Sequence, residues 1–273
     1  MSGVVRLAVL GDPLAFTRSP DLHRAALAAL RLTGDSRALR TSASELGARL
    51  VSLASEDVAG FNVTHPLKEP VIAHLSRVAP DAALARSVNT VGREPSGWWG
   101  DSTDGPGFVD WLTHLGRRPA VERVLIFGAG GAARSIALSL SRLGRDPVRI
   151  ATRGGEDSAR REAWRELEGA AVWVAPGEPL ERAIHDWATV IVNATPLAGA
   201  AGPRDPARLA ERTLVLDLVY SREPTAWVCA ARARGFEAHD GLGLLVFQAR
   251  RSLSLWLERD VPLEPLMQAV GAR

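Results

Sequence analysis

Short apolar runs alternate with stretches of helical spacing along the first hundred residues. Arg6–Leu10 reads as a strand, and after Pro20 the positions Leu22, Ala25, Ala26 and Ala29 fall on one helical face. The pattern then predicts a helix over Ser44–Leu53, a strand over Val58–Val63, and short helices over Leu67–Leu75 and Asp81–Ala85. Strands at Ser87–Val91 and Gly97–Trp99 complete this part. Such strand–helix alternation predicts an α/β architecture with a mostly parallel sheet. After a helix over Pro106–Leu115 and a turn at Gly116–Pro119, a second series begins. Its expected strands are Val124–Phe127, Val148–Thr152, Ala171–Val174, Val190–Ala194, Leu214–Val219 and Phe236–Ala238. Six strands separated by helical stretches predict a doubly wound, Rossmann-type dinucleotide-binding fold. A closing helix over Gly241–Leu257 turns Leu244, Leu245, Leu253 and Trp256 towards a core; Ala198–Arg208 alone reads as a Gly/Pro-rich loop.

Composition narrows the function classes. The chain has 273 residues, 46% hydrophobic and 23% charged, with a net charge of +2, which is the profile of an ordinary globular protein. Its basic pairs are scattered among acids, so no nucleic-acid footprint is expected. A single cysteine, Cys229, rules out an internal disulfide and a Cys-based metal site, and no metal is expected. No apolar window is long enough for a membrane span. Gly11-Asp12-Pro13 breaks the only N-terminal run that could serve as a signal, so a cytoplasmic location is expected.

Rarity carries more than composition does. Arginine supplies 32 of the 33 basic side chains, and Lys68 is the only lysine. Tyr220 is the only tyrosine, and Asn62, Asn89 and Asn193 are the only asparagines. Arg keeps its proton in a protein, whereas a lysine amine can exchange one. The one departure from the Arg habit therefore stands where a titratable amine has a use.

Two groups of residues point to chemistry. Val124–Phe127 runs into Gly128-Ala129-Gly130-Gly131-Ala132-Ala133 and then into a helix expected over Arg134–Leu143. This is the glycine fingerprint of a dinucleotide site in its strand–turn–helix setting, where backbone amides approach a pyrophosphate. An NAD site places an acid about 20 residues on, to hold the ribose hydroxyls. Here Thr152-Arg153 stands instead, and Arg153 suits the 2′-phosphate of NADP. The second group is Lys68 with Asp104. Oxidising a secondary alcohol with NADP takes a hydride from carbon and a proton from oxygen, and an amine beside a carboxylate can move that proton.

Eight motifs in order resemble the shikimate dehydrogenase family: Gly11-Asp-Pro13 with Thr17-Arg-Ser19-Pro20 and His23; Phe61-Asn-Val-Thr64-His-Pro-Leu-Lys68; Ser87-Val-Asn89-Thr90; Ser102-Thr-Asp104-Gly105; Gly128–Ala133; Asn193-Ala-Thr195-Pro196; Asp217-Leu-Val-Tyr220; and Gly241–Gln248. The resemblance implies reversible reduction of 3-dehydroshikimate with NADPH, with Lys68 and Asp104 as the catalytic pair. It implies that Thr17, Ser19, Thr64, Asn89, Asp104, Tyr220 and Gln248 bind the substrate. Gly128, Ala129, Gly130, Gly131, Ala132, Thr152, Arg153, Thr195, Leu218 and Gly241 would hold the cofactor. The chain departs from the family pattern at Thr17 (usually Ser), Phe16 (usually His) and Ser102 (usually Asn).

The expected organisation is a substrate domain of residues 1–103 with 240–273, and an NADP-binding Rossmann domain of residues 104–239, in a monomer or homodimer. Two other readings stand beside it: a quinate or aminoshikimate dehydrogenase paralogue, and a non-catalytic NADP-binding sensor. Retention of both Lys68 and Asp104 argues against a sensor, which has no need of a proton-transfer pair.

Overall fold

The computed structural model describes residues 3–272 except 15, 145, 153–161, 168 and 196–202. The chain forms two compact units, Met1–Gly107 with Leu245–Arg273, and Phe108–Leu244. In chain order the first unit opens with β1 (Val5–Gly11), α1 (Ser19–Ala29), β2 (Gly34–Arg40), α2 (Leu46–Ser55) and β3 (Gly60–Val63). A 3-10 turn at Pro70–His74 leads to β4 (Arg77–Val78), α3 (Pro80–Leu84), β5 (Thr90–Glu94), β6 (Gly97–Asp101) and α4 (Asp104–His114). The second unit contributes β7 (Val124–Phe127), α5 (Gly131–Ser141), β8 (Val148–Ala151), β9 (Ala171–Trp173), α6 (Glu178–Arg182), β10 (Val190–Asn193), β11 (Leu214–Asp217), α7 (Ala226–Ala233) and β12 (Ala238–His239). The chain returns to the first unit within α8 (Leu242–Leu257) and ends with α9 (Leu263–Val270).

The first unit's sheet runs β2-β1-β3-β5-β6-β4. Parallelism is only partial: β1 pairs in parallel with β2 and β3, but β3–β5 and β5–β6 are antiparallel. The hairpin of β5 and β6 needs no crossover helix, so simple strand–helix alternation does not describe it. Leu46, Leu50 and Leu53 on α2 bury against Phe61, Val63, Val88, Val91 and Trp98. Phe61 and Trp98 meet edge to face at 5.1 Å. Each fully buried side chain of this size stabilises the unit by ~1.5–3 kcal/mol.

Several expected elements shift for identifiable reasons. Leu67–Leu75 is not a helix: Pro70 lacks the N–H for an earlier carbonyl, and only the Pro70–His74 turn forms. The strand expected at Ser87–Val91 begins at Thr90, because Val88 N–H bonds the Lys68 carbonyl (2.8 Å) and so belongs to the turn after β3. β2 is absent from the pattern-based reading. Its sequence GDSRALR has no apolar run, and as an edge strand paired only with β1 it buries Ser36 alone.

The second unit's sheet runs β12-β11-β10-β7-β8-β9, parallel throughout. Numbered within the unit this is the doubly wound order 3-2-1-4-5-6, with the switch point between β7 and β10. α5 starts at Gly131, earlier than the expected Arg134, so the fingerprint's own residues form the first helical turn. The strand over Leu214–Val219 stops at Asp217, whose carboxylate accepts the Val219 N–H and turns the chain. The strand over Phe236–Ala238 is instead Ala238–His239. Among the described residues no helix is long and apolar enough to cross a membrane.

Candidate functional site

In the first unit, β1 and β3 run parallel and therefore end on the same side of the sheet. Thr64 leaves β3 with its N–H on the Leu10 carbonyl (2.8 Å), and its own carbonyl accepts the Leu67 N–H (2.8 Å). This turn delivers Lys68, whose Nζ lies 2.5 Å from Asp104 Oδ2; the side chains are 23% and 6% exposed. Asp104 is the first residue of α4, where the helix dipole favours a carboxylate.

The other Asp104 oxygen accepts from Asn89 Nδ2 (2.9 Å), which also donates to Gln248 Oε1 (3.0 Å). The Thr103 N–H, a fixed donor, bonds Asn89 Oδ1 (2.8 Å) and so sets the amide's orientation with its NH2 towards Asp104. Gln248 likewise anchors its NH2 on the Leu245 carbonyl (2.7 Å), leaving Oε1 for Asn89. Lys68, Asp104, Asn89 and Gln248 are thus joined directly, as the inward-facing Gln248 requires. Thr17 and Ser19 lie in the segment after β1, and Thr17 Oγ1 accepts the Ser19 N–H at 3.3 Å. That bond leaves the Thr17 hydroxyl proton available for an acceptor.

Beneath this group lies a set of buried polar residues to which the sequence reading gave no role: Asn62, Thr90, Thr103 and Ser252. His23, the last residue of the first motif, is fully buried, between Ser36 Oγ (2.7 Å) and Asn62 Oδ1 (3.0 Å). Burial pushes its imidazole down to about 4, against the bond to Asn62, which raises it.

In the second unit the described ones among the expected cofactor residues follow the carboxyl ends of the parallel strands. Gly128, at φ +111°, sits where a Cβ would lie 2.9 Å from the Ala194 carbonyl oxygen, so only glycine fits. Gly130 caps α5 with no side-chain bond, and no acid stands in the first turn. A Cβ on Gly130 would meet nothing within 4 Å, so the loop is open there. Among the described residues the amides of Gly131, Ala132 and Ala133 have no hydrogen-bond acceptor, and such a helix start can hold an anion such as a pyrophosphate. The Ala129 carbonyl is turned inward, accepting from Trp164 Nε1 at 3.2 Å. Thr152 follows β8, while Arg153 lies outside the described residues.

Thr195 follows β10, held by its N–H (3.1 Å) and hydroxyl (2.6 Å) on Asn193 Oδ1. Asn193 also donates to Asp217 (2.9 Å), whose second oxygen accepts from Thr225 (2.7 Å). Burial pushes the Asp217 carboxyl up, against its hydrogen bonds from Thr225, the Val219 N–H and Asn193. Leu218 and Gly241 pack backbone to backbone: a Cβ on Gly241 would lie 2.2 Å from the Leu218 oxygen. Tyr220 belongs to this unit, on the segment after β11.

Comparison with known proteins gives the family. Residues 9–91 match the shikimate dehydrogenase substrate binding domain. A shikimate dehydrogenase (NADP(+)) of Acidiphilium cryptum is 39% identical over 278 residues, covering 100% of this chain and 98% of that one. A homologue of the same name from Synechococcus sp. is 36% identical and covers 96% and 92%. The crystal structure of shikimate 5-dehydrogenase from Thermus thermophilus, in complex with NADP(H) and shikimate, superposes with a TM-score of 0.84 at 32% identity, covering 98% of this chain and 99% of that one. With relatives this similar over nearly their whole length, the chain belongs to the shikimate dehydrogenase family.

Proposed function

We propose that this protein is an NADP-dependent shikimate dehydrogenase that reversibly reduces 3-dehydroshikimate to shikimate, a step of aromatic amino-acid biosynthesis, in the cytoplasm. The observation that carries the reading is the Lys68–Asp104 pair, joined at 2.5 Å and flanked by the oriented amides of Asn89 and Gln248. NADP supplies the acceptor for the hydrogen that leaves the carbinol carbon with its electron pair. Lys68 takes the proton from the hydroxyl oxygen during oxidation and returns it during reduction. Asp104 holds the amine in place and accepts a substrate hydroxyl. Asn89 and Gln248 bind ring hydroxyls, which suits a small polyol acid better than an apolar alcohol. Thr17, Ser19 and Thr64 take the carboxylate end, and Tyr220 adds a further hydroxyl contact.

On this reading the first compact unit binds the substrate and the second binds NADP. Gly128–Ala132 would hold the pyrophosphate, Thr152 and Arg153 would hold the 2′-phosphate end, and Thr195, Leu218 and Gly241 would complete the cofactor contacts, the last two near the nicotinamide. The fingerprint loop fits such a group because its helix start is uncapped and open. The purified protein, given 3-dehydroshikimate and NADPH, is expected to form shikimate with equimolar loss of the reduced cofactor. Tight NADPH binding with no turnover would favour the sensor reading.

A further inference from the structure

A chain of buried side chains connects Ser36, at the sheet edge, to the carboxylate of Asp104, and its hydrogen-bond chemistry has a direction. Asn62 donates its NH2 to the Asn89 carbonyl (2.9 Å), which can only accept, so Asn62 Oδ1 faces His23. The His23 Nε2 therefore carries the proton, and Nδ1 accepts from the Ser36 hydroxyl. The second Asn62 N–H donates to Ser252 Oγ (3.1 Å). Ser252 Oγ lies 2.6 Å from Thr90 Oγ1, the shortest contact in the group. It also lies 3.0 Å from the Gln248 carbonyl oxygen, but the contact with Thr90 is shorter, and with the Thr90 proton on Asn89 Oδ1 only the Ser252 proton can fill it. Thr90 donates to Asn89 Oδ1 (3.0 Å), and Asn89 Nδ2 donates to Asp104 (2.9 Å). Thr103 braces the chain from the side, 3.1 Å from both Thr90 and Ser252.

We propose that Thr90 and Ser252 are positioning residues for the Lys68–Asp104 pair, as the middle links of a one-way hydrogen-bond relay that runs from Ser36 through His23, Asn62 and Asn89 to Asp104. Every donor in it points towards the carboxylate. Hydrogen bonds aligned in this way polarise one another in a low-dielectric interior, so the relay both fixes the Asn89 amide and strengthens its bond to Asp104. Thr90 and Ser252 are wholly buried, and their side chains hydrogen-bond neither Lys68 nor Asp104. They act through Asn89. The proposal rests on Lys68 and Asp104 being the acid–base pair.

The test uses replacements that keep shape and change only the hydroxyl. Thr90→Val preserves volume but interrupts the relay, and Thr90→Ser restores the donor. The Val variant is expected to lose kcat ~10-fold, the effect of one lost buried hydrogen bond, with KM for NADP unchanged. The Ser variant should recover most of kcat. Ser252→Ala breaks the preceding link and is expected to give a similar loss, which keeps the test open should Thr90→Val fail to fold. Equal kcat in Thr90→Val, Ser252→Ala and the parent, while Lys68→Arg is impaired, overturns the relay alone. Equal losses in Thr90→Val and Thr90→Ser also overturn it, because the hydroxyl then does not matter. A Lys68→Arg protein with unimpaired kcat overturns the relay together with the acid–base reading.

Discussion

Lys68→Arg is expected to lower kcat by ~10²-fold or more, the effect of removing a general acid–base group, while KM for shikimate changes far less. Arginine keeps the positive charge and can still reach the Asp104 carboxylate that now lies 2.5 Å from the lysine amine. It cannot release its proton at any working pH, so the hydroxyl of the substrate has nowhere to send its own. Binding and proton transfer are thereby separated: a charge survives and an acid–base group does not. Steady-state kinetics with saturating NADP reads both constants. A near-normal kcat would mean that Lys68 serves only as a charge.

His23 should make folding stability fall on the acid side. Its imidazole titrates near 4 in the folded protein against 6.5 when free, because burial opposes its charge. Above pH 6.5 both states are neutral at this position and its contribution is complete. As pH falls from 6.5 towards 4 the unfolded chain takes up a proton that the folded protein refuses, so stability is lost. The loss reaches on the order of 3 kcal/mol near pH 4. Asp217, whose carboxyl burial pushes up, works in the opposite direction over its own range, so the raw profile mixes signs. The difference between the parent and His23→Gln isolates the imidazole. Urea midpoints measured near pH 7 and near pH 4 should show the parent losing more stability than the variant. Parallel losses would mean that His23 is not held neutral in the interior.

The parts of the molecule that could be read from sequence are those where one residue type or one run carries the meaning. In the second unit the central strands β7, β10 and β11 are wholly buried, mostly apolar runs between turn signals, which is the pattern a sequence shows most plainly. Lys68 and Asn89 stand out by rarity, and Gln248 as the end of the last motif. Asn62 was equally rare, but rarity alone does not say that a side chain supports a site rather than lines it. Thr90 and Thr103 lie inside motifs and Ser252 outside them, but nothing gave any of the three a role, since Ser and Thr are frequent and the contact between Thr90 and Ser252 spans 162 positions. β2 was hidden because an edge strand needs no apolar run; its one buried residue, Ser36, is also the start of the relay.

The most direct test of the account compares initial rates of NADPH formation from shikimate and from quinate by the purified protein. Quinate has a tetrahedral ring carbon bearing a hydroxyl beside its carboxylate and needs extra room there. If Thr17 binds the carboxylate as proposed, its hydroxyl, which already accepts the Ser19 N–H, would donate its proton there and its methyl group would narrow the space. Shikimate is expected to be favoured by at least ~10-fold in kcat/KM, about 1.4 kcal/mol of transition-state discrimination. Equal or faster turnover of quinate, or no NADP reduction with shikimate, would contradict the account.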